Sequence, residues 1–278
     1  MSGSEIFGIV KDKGREVKDL EVGDYVGIGY QITSCFECDY CKQGKEQFCL
    51  QQKVLSVNGF GGLADYIVFD SRFAFKIPNK LQTAAHVPLM CSGLTPYSAI
   101  KRVGVEPGMK VGLVGVGNLG HLALQILNKS GCKVTVFSHS KSKEKVLRDL
   151  GAQNFIDSTD IKALKKEEKK YDVILSTSSG TLDWESYFRM LTPQGTICFV
   201  GLPPDNISFP VTLLADYAQR RVQGSYIGSR AEMKELLDFA SKHDIKAVAE
   251  VYPMSEANEV VTKIRNKEIN FSAILENR

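Results

Sequence analysis

A glycine-rich turn held between a short strand and a helix constrains this chain more than any other feature. Val111 to Val114 is an apolar run suited to a buried parallel strand. Leu119, Leu122, Ala123, Ile126 and Leu127 then recur at the spacing of one helical face. Between strand and helix stands Gly115-Val-Gly117-Asn-Leu-Gly120. The first glycine permits the tight turn, the second lets a pyrophosphate approach the backbone, and the third lets helix and strand pack closely. Free N–H groups at the helix start, aided by the helix dipole, then face the phosphates. A bare G-x-G-x-x-G is weak evidence. Set between this strand and helix, with a second strand at Lys133-Val-Thr-Val-Phe137, it reads as a dinucleotide-binding unit.

Downstream the pattern alternates. Strands are expected at Lys133–Phe137, Asn154–Asp157, Asp172–Leu175, Thr196–Gly201 and Val222–Ile227, and helices at Ser142–Leu150, Leu182–Leu191 and Val211–Tyr217. With Val111–Val114 these make six strands alternating with helices, a doubly wound parallel α/β sheet. Two amphipathic helices, Ala231–Lys242 and Ser255–Arg265, and a last strand, Ile269–Leu275, are expected to return to the first domain. Upstream, Ile6–Val10, Tyr25–Tyr30, Leu63–Phe69 and Phe73–Ile77 read as strands, with Gly59-Phe-Gly-Gly62 a loop, as in a small β-barrel. A helix is entered across Thr83–Ile100, with Pro96 near its first turn.

Inside that first region lies Cys35-Phe-Glu-Cys38-Asp-Tyr-Cys41, followed by Cys49, with two, two and seven residues between successive cysteines. Four thiolates on a short lobe converge tetrahedrally on one Zn²⁺ and leave no open position, which makes the site structural. Iron–sulfur clusters also use four cysteines, but at other usual spacings. Seven cysteines in 278 residues, four of them packed together, point to a metal site in a reducing compartment rather than a disulfide framework. A net charge of +3 gives no reason to expect a nucleic-acid partner, and the basic run Lys162–Lys170, interleaved with Glu167 and Glu168, reads as a solvated helix face. No apolar run approaches the roughly 20 residues that span a bilayer. Met1-Ser-Gly-Ser-Glu5 lacks the pattern of a signal peptide, so a cytoplasmic location is expected.

The cysteine quartet followed by the glycine unit resembles the zinc-containing medium-chain alcohol dehydrogenases over nearly the whole chain. Glu46-Gln-Phe-Cys49, Pro88-Leu-Met-Cys-Ser-Gly-Leu-Thr95, Ser225-Tyr-Ile-Gly-Ser229 and Val251-Tyr-Pro-Met254 narrow the likeness to the cinnamyl-alcohol-dehydrogenase-like, NADPH-using branch. The resemblance implies a GroES-like barrel with a structural-zinc lobe (1–91 and 230–278), incomplete at its start, and a Rossmann domain (92–229). It implies a small aldehyde or alcohol as substrate and homodimers joined through the edge strand Val222–Ile227. A partner covering the barrel edge left open at Ile6–Val10 is the other expectation.

Cofactor choice is argued from chemistry. An NAD site carries an acid at the end of the second strand for the ribose 2′-hydroxyl. Here Phe137-Ser-His-Ser-Lys-Ser-Lys143 has no acid until Glu144. Hydroxyls and cations hold a 2′-phosphate that a carboxylate would repel, which favours NADP(H). By resemblance Ser138, His139 and Lys143, with Ser140 a further candidate, are the phosphate contacts, although Ser140 or Ser142 also suits a helix N-cap. Also by resemblance, Thr95 lies near the nicotinamide and Asn118 and Leu119 at the pyrophosphate. Thr177 and Ser178 follow the fourth strand, Val200 and Gly201 flank the ring, and Gly228 and Ser229 close the site.

Hydride transfer in this family uses a second zinc with three protein ligands and one open position. Cys91 matches one ligand. The Gly-His-Glu triplet that supplies another aligns with Gly3-Ser4-Glu5, so Ser4 stands in place of the histidine, and an early cysteine has no counterpart. One soft ligand does not hold zinc. His86, the nearest other histidine, reads as a packed loop residue. The sequence is therefore expected to carry one structural zinc, no catalytic zinc and little activity. The alternatives are a non-catalytic scaffold subunit or NADP(H)-binding sensor on the same fold, and, more weakly, zinc-free quinone reduction.

Overall fold

In the computed structural model, which describes residues 3–57, 61–215 and 217–277, the chain divides into two units, Met1–Leu94 with Ile227–Arg278, and Thr95–Tyr226. In the first unit, β1 (Ile6–Ile9) and β2 (Tyr25–Ile28) pair antiparallel. Next, β3 (Gln31–Thr33) pairs with β4 (Lys53–Val54), the chain between them carrying the one-turn helix α1 (Asp39–Lys42). Strand β5 (Ala74–Lys76) completes a three-stranded sheet of order β1-β2-β5, leaving β1 at its edge. Ile28, Ile32 and Leu55 are buried together beneath Ile6, Ile67 and Phe69.

A helix, α2 (Leu94–Val103), leads into the second unit. There β6 (Lys110–Val114), α3 (Asn118–Lys129), β7 (Lys133–Ser138), α4 (Glu144–Asp149), β8 (Asn154–Asp157), α5 (Ile161–Lys165), β9 (Tyr171–Ser176), α6 (Trp184–Met190), β10 (Leu191–Phe199), α7 (Thr212–Ala215) and β11 (Arg221–Gly224) alternate. All sheet pairings are parallel, in the order β11-β10-β9-β6-β7-β8. That is the doubly wound arrangement, with its switch point at β6 and β9. The strands read as unbroken apolar runs because helices cover both faces. On one side Phe137, Tyr171, Trp184, Tyr187 and Phe188 form an aromatic core, with Phe137 edge-on to both tyrosines. Helix α3 is buried at every residue from Gly120 to Leu127, more completely than a single apolar face requires.

The chain returns to the first unit through α8 (Arg230–His243), started by a capping box in which Ser229 and Glu232 exchange hydrogen bonds. Then β12 (Ala249–Pro253), α9 (Ala257–Arg265) and β13 (Ser272–Glu276) form a small parallel βαβ unit.

Several expectations are corrected. Residues 63–69 form no strand: 63–66 are all exposed, and only the end of the stretch alternates, with Ile67 and Phe69 packing inward while Tyr66 and Val68 are 74% and 90% exposed. Among the described residues this main chain finds no ladder partner. Gly59 and Phe60 of the expected loop Gly59–Gly62 lie outside the described residues. Strand β11 stops at Gly224, short of Ile227, and α7 spans only Thr212–Ala215. Strand β10 begins five residues early, with a register shift between Leu191 and Thr196 where Gln194 turns left-handed (φ +63°). The basic run is helical only to Lys165. Strand β12, which takes in Val251, Tyr252 and Pro253, is a further element beyond the expected ones and pairs in parallel with β13.

Candidate functional site

The cysteine lobe is built by short-range geometry. Helix α1 carries Cys41, a 3-10 turn over Glu46–Phe48 delivers Cys49, and Phe36, with φ +59°, turns the chain between Cys35 and Cys38. The Arg72 guanidinium lies 3.5 Å over the Phe36 ring and holds that strained residue in place. All four Sγ atoms lie within 4.8 Å of one another, with 3.5 Å between Cys49 and Cys35 and 3.9 Å between Cys35 and Cys41. A tetrahedral zinc with bonds of about 2.3 Å sets its sulfurs about 3.8 Å apart, so the quartet fits a zinc ion. Backbone N–H groups of Glu37 and Cys38 donate to Cys35 Sγ at 3.4 and 3.3 Å, and that of Cys35 donates to Cys49 Sγ at 3.4 Å. The Glu37 and Cys38 donors bring the Cys35 thiol down to about 6, while burial raises Cys41 to about 11. A cation among them deprotonates all four.

The glycine turn sits at the sheet's switch point. Gly115 has φ +81°, open to glycine but strained for other residues. A Cβ on Gly120 would lie 2.3 Å from the Gly115 oxygen and 2.8 Å from Thr177 Oγ1. Thr177 Oγ1 donates to that same oxygen at 2.7 Å, so the third glycine is demanded by contact between helix and turn. A Cβ on Gly117 would meet nothing within 4 Å. Helix α3 starts there without a side-chain cap on its first turn. Gly201, bonded through its N–H to the Ser176 oxygen at 3.0 Å, packs against Thr177 and Ser178 so closely that a Cβ would meet the Ser178 oxygen. Gly115, Gly117, Asn118, Leu119, Gly120, Thr177, Val200 and Gly201 thus gather at the carboxyl ends of β6, β9 and β10.

Ser138 ends β7, buried, and accepts the Ser140 N–H at 3.2 Å. His139 is exposed, and Lys143 is half-buried at the end of a 3-10 turn over Lys141–Lys143, where burial lowers its ammonium below the ordinary lysine range. Neither Ser140 nor Ser142 caps a helix through its hydroxyl, contrary to that expectation; α4 starts after Lys143 without a side-chain cap. Thr95 lies in the first turn of α2. Ser229, expected at the cofactor, commits its hydroxyl to the N–H of Glu232 at 3.2 Å, and the division of the chain places it in the first unit. Sequence reasoning passed over Asp157, which stands opposite Ser138 in the β7–β8 register. Only the strand pairing brings it there.

In the first unit, Glu5 accepts the Ser92 N–H at 2.6 Å, at the turn that carries Cys91. Burial raises its carboxyl to about 7 against the pull of hydrogen bonds from Ser92 and Cys91. His86 is buried, with Nδ1 2.8 Å from Thr83 Oγ1, and burial lowers its pKa. Among the described residues, no second group of three cysteine, histidine or acidic side chains converges as a metal site.

A doubly wound sheet with an open glycine turn at its switch point, in one chain with a small β unit bearing a tetrathiolate lobe, defines a metal-binding, dinucleotide-type dehydrogenase fold. Residues 118–242 match the zinc-binding dehydrogenase family, and residues 1–79 match the alcohol dehydrogenase GroES-like domain. A probable formaldehyde dehydrogenase of Bacillus subtilis is 36% identical over 99% of this chain and 80% of its own length. A solved cinnamyl alcohol dehydrogenase of Sorghum bicolor superposes with a TM-score of 0.92 at 30% identity, over 98% of this chain and 80% of its own. One from Helicobacter pylori, complexed with NADP(H), gives 0.88 at 29% identity over the same shares, 98% and 80%. The chain belongs to the zinc-dependent medium-chain alcohol dehydrogenase family. No helix among its described residues is long and apolar enough to cross a membrane.

Proposed function

We propose that this chain binds NADP(H) and descends from enzymes that pass a hydride between the nicotinamide and the carbonyl carbon of a small aldehyde. The observation that carries the cofactor reading is the end of β7, where Ser138, His139, Ser140 and Lys143 stand in place of an acid. The NADP(H) bound to the Helicobacter pylori relative supports it. The Gly115–Gly120 turn would take the pyrophosphate on the open N-terminus of α3. The formaldehyde and cinnamyl alcohol dehydrogenases among its relatives support an aldehyde or alcohol as the substrate class.

A zinc held by three protein ligands would polarise the substrate oxygen. In this sequence Ser4 replaces the histidine of that set, and Glu5 is bonded to the Cys91–Ser92 turn. This favours a second reading: an NADP(H)-binding scaffold or sensor with one zinc, at Cys35, Cys38, Cys41 and Cys49, and little aldehyde turnover. The open edge at β11 supports assembly as a homodimer, and the open edge at β1 is the surface a partner would otherwise cover.

Metal counting and ligand titration on the purified chain test both readings. One zinc per chain, tighter binding of NADPH than NADH and negligible aldehyde reduction are expected. Two zincs with aldehyde turnover would overturn the sensor reading. Equal affinity for the two nucleotides would overturn the cofactor reading.

A further inference from the structure

The strand after the cofactor loop brings an acid to that loop, and the loop itself answers it. Asp157 ends β8 in register with Ser138, the last residue of β7. Paired strands lie about 4.8 Å apart, so this carboxylate borders whatever Ser138 holds. Both of its oxygens are engaged. Thr159 donates its N–H at 2.9 Å and its hydroxyl at 2.7 Å to Oδ1, and Lys141 Nζ lies 3.2 Å from Oδ2. Thr159 first, then Lys141, bring the acid down to about 2, so it stays ionised at neutral pH. Glu144, the next acid along, is likewise met by Arg148 at 2.8 Å.

An ionised carboxylate one strand from a 2′-phosphate would repel it, and would accept a hydrogen bond from an unphosphorylated ribose. We propose that Lys141 is a specificity-determining residue: by pairing with Asp157 it cancels the acid that would otherwise turn this pocket toward the unphosphorylated dinucleotide. Lys141 acts through Asp157 and is a positioning residue. The inference rests on the NADP(H) reading above.

The test is a double-mutant cycle on the intact, zinc-loaded chain, reading NADPH and NADH dissociation constants from nicotinamide fluorescence, with no turnover needed. Lys141→Ala should weaken NADPH roughly three- to tenfold at low salt while leaving NADH unchanged or tighter, and the effect should shrink at 0.5 M salt. Asp157→Asn alone should leave NADPH binding unchanged or tighter. The double variant should recover the wild-type ratio of the two affinities. If Lys141 instead touched the phosphate directly, the double variant would bind NADPH as weakly as Lys141→Ala, and the inference would fall. A ratio within twofold of wild type in Lys141→Ala would also overturn it while leaving the cofactor reading intact. A wild-type protein indifferent to the two nucleotides would overturn both.

Discussion

The backbone N–H of Ser92 donates to Glu5 Oε1 at 2.6 Å, joining positions 87 residues apart. Burial is the larger influence on that carboxyl and raises it from 4.5 to about 7. Between those values the folded chain holds a proton that the unfolded chain has released. Stability therefore falls as pH rises through that window and levels off above it. Urea midpoints of the wild type and Glu5→Gln should diverge between pH 5 and 8, the variant gaining on the wild type by up to about 3 kcal/mol. Parallel curves would rule out a raised, titrating Glu5 in the folded chain.

The three glycines should separate fold from ligand. Gly120→Ala places a methyl against the Gly115 oxygen and Thr177, and should cost roughly 1–3 kcal/mol or more in stability. Gly117 faces open space with φ −96°, so Gly117→Ala should melt within a few degrees of the wild type. It should nonetheless weaken NADPH roughly tenfold or more, because its methyl occupies the pyrophosphate's approach. Calorimetry alongside nucleotide titration checks both; a Gly117→Ala protein with wild-type affinity would place the phosphates elsewhere.

Metal removal should act on the first unit. The four sulfurs lie within 4.8 Å of one another, and with burial raising the Cys41 thiol to about 11 they ionise together only around a cation. Cobalt substitution should give the intense charge-transfer and ligand-field bands of a tetrahedral tetrathiolate. Cys41→Ser should lose the metal and lower stability by several kcal/mol, since metal binding and folding of such lobes are linked. Metal release should also rise as pH falls, because protons compete for the thiolates. Cobalt spectra showing oxygen or nitrogen ligands would contradict the quartet.

Lys143, half-buried beside the end of β7, is expected to pair with the 2′-phosphate. Lys143→Ala should narrow the gap between NADPH and NADH affinity about tenfold, acting mainly on NADPH. Unlike Lys141→Ala, it should not be rescued by Asp157→Asn. Equal losses for both nucleotides would assign Lys143 a structural role instead.

Local chemistry made much of this molecule legible. Gly115, Gly117 and Gly120 announced the turn because each answers a steric demand within a few residues, and the cysteine quartet announced its lobe because its members span only fifteen positions, Cys35 to Cys49. That 63–69 lacks a ladder was not legible, because pairing belongs to the partner. For the same reason β12 went unseen until β13 lay beside it.

By itself, then, the sequence determined the alternation of the parallel sheet with its helices, the metal quartet and the glycine cradle, all set by periodicity and by contacts short along the chain. Tertiary structure alone decided which charges meet. It set Asp157 opposite Ser138, closed Lys141 onto that acid, and brought Glu5 to the Cys91 turn. Strand register and burial decide those encounters, and both come from residues far apart in sequence, where no local pattern records them.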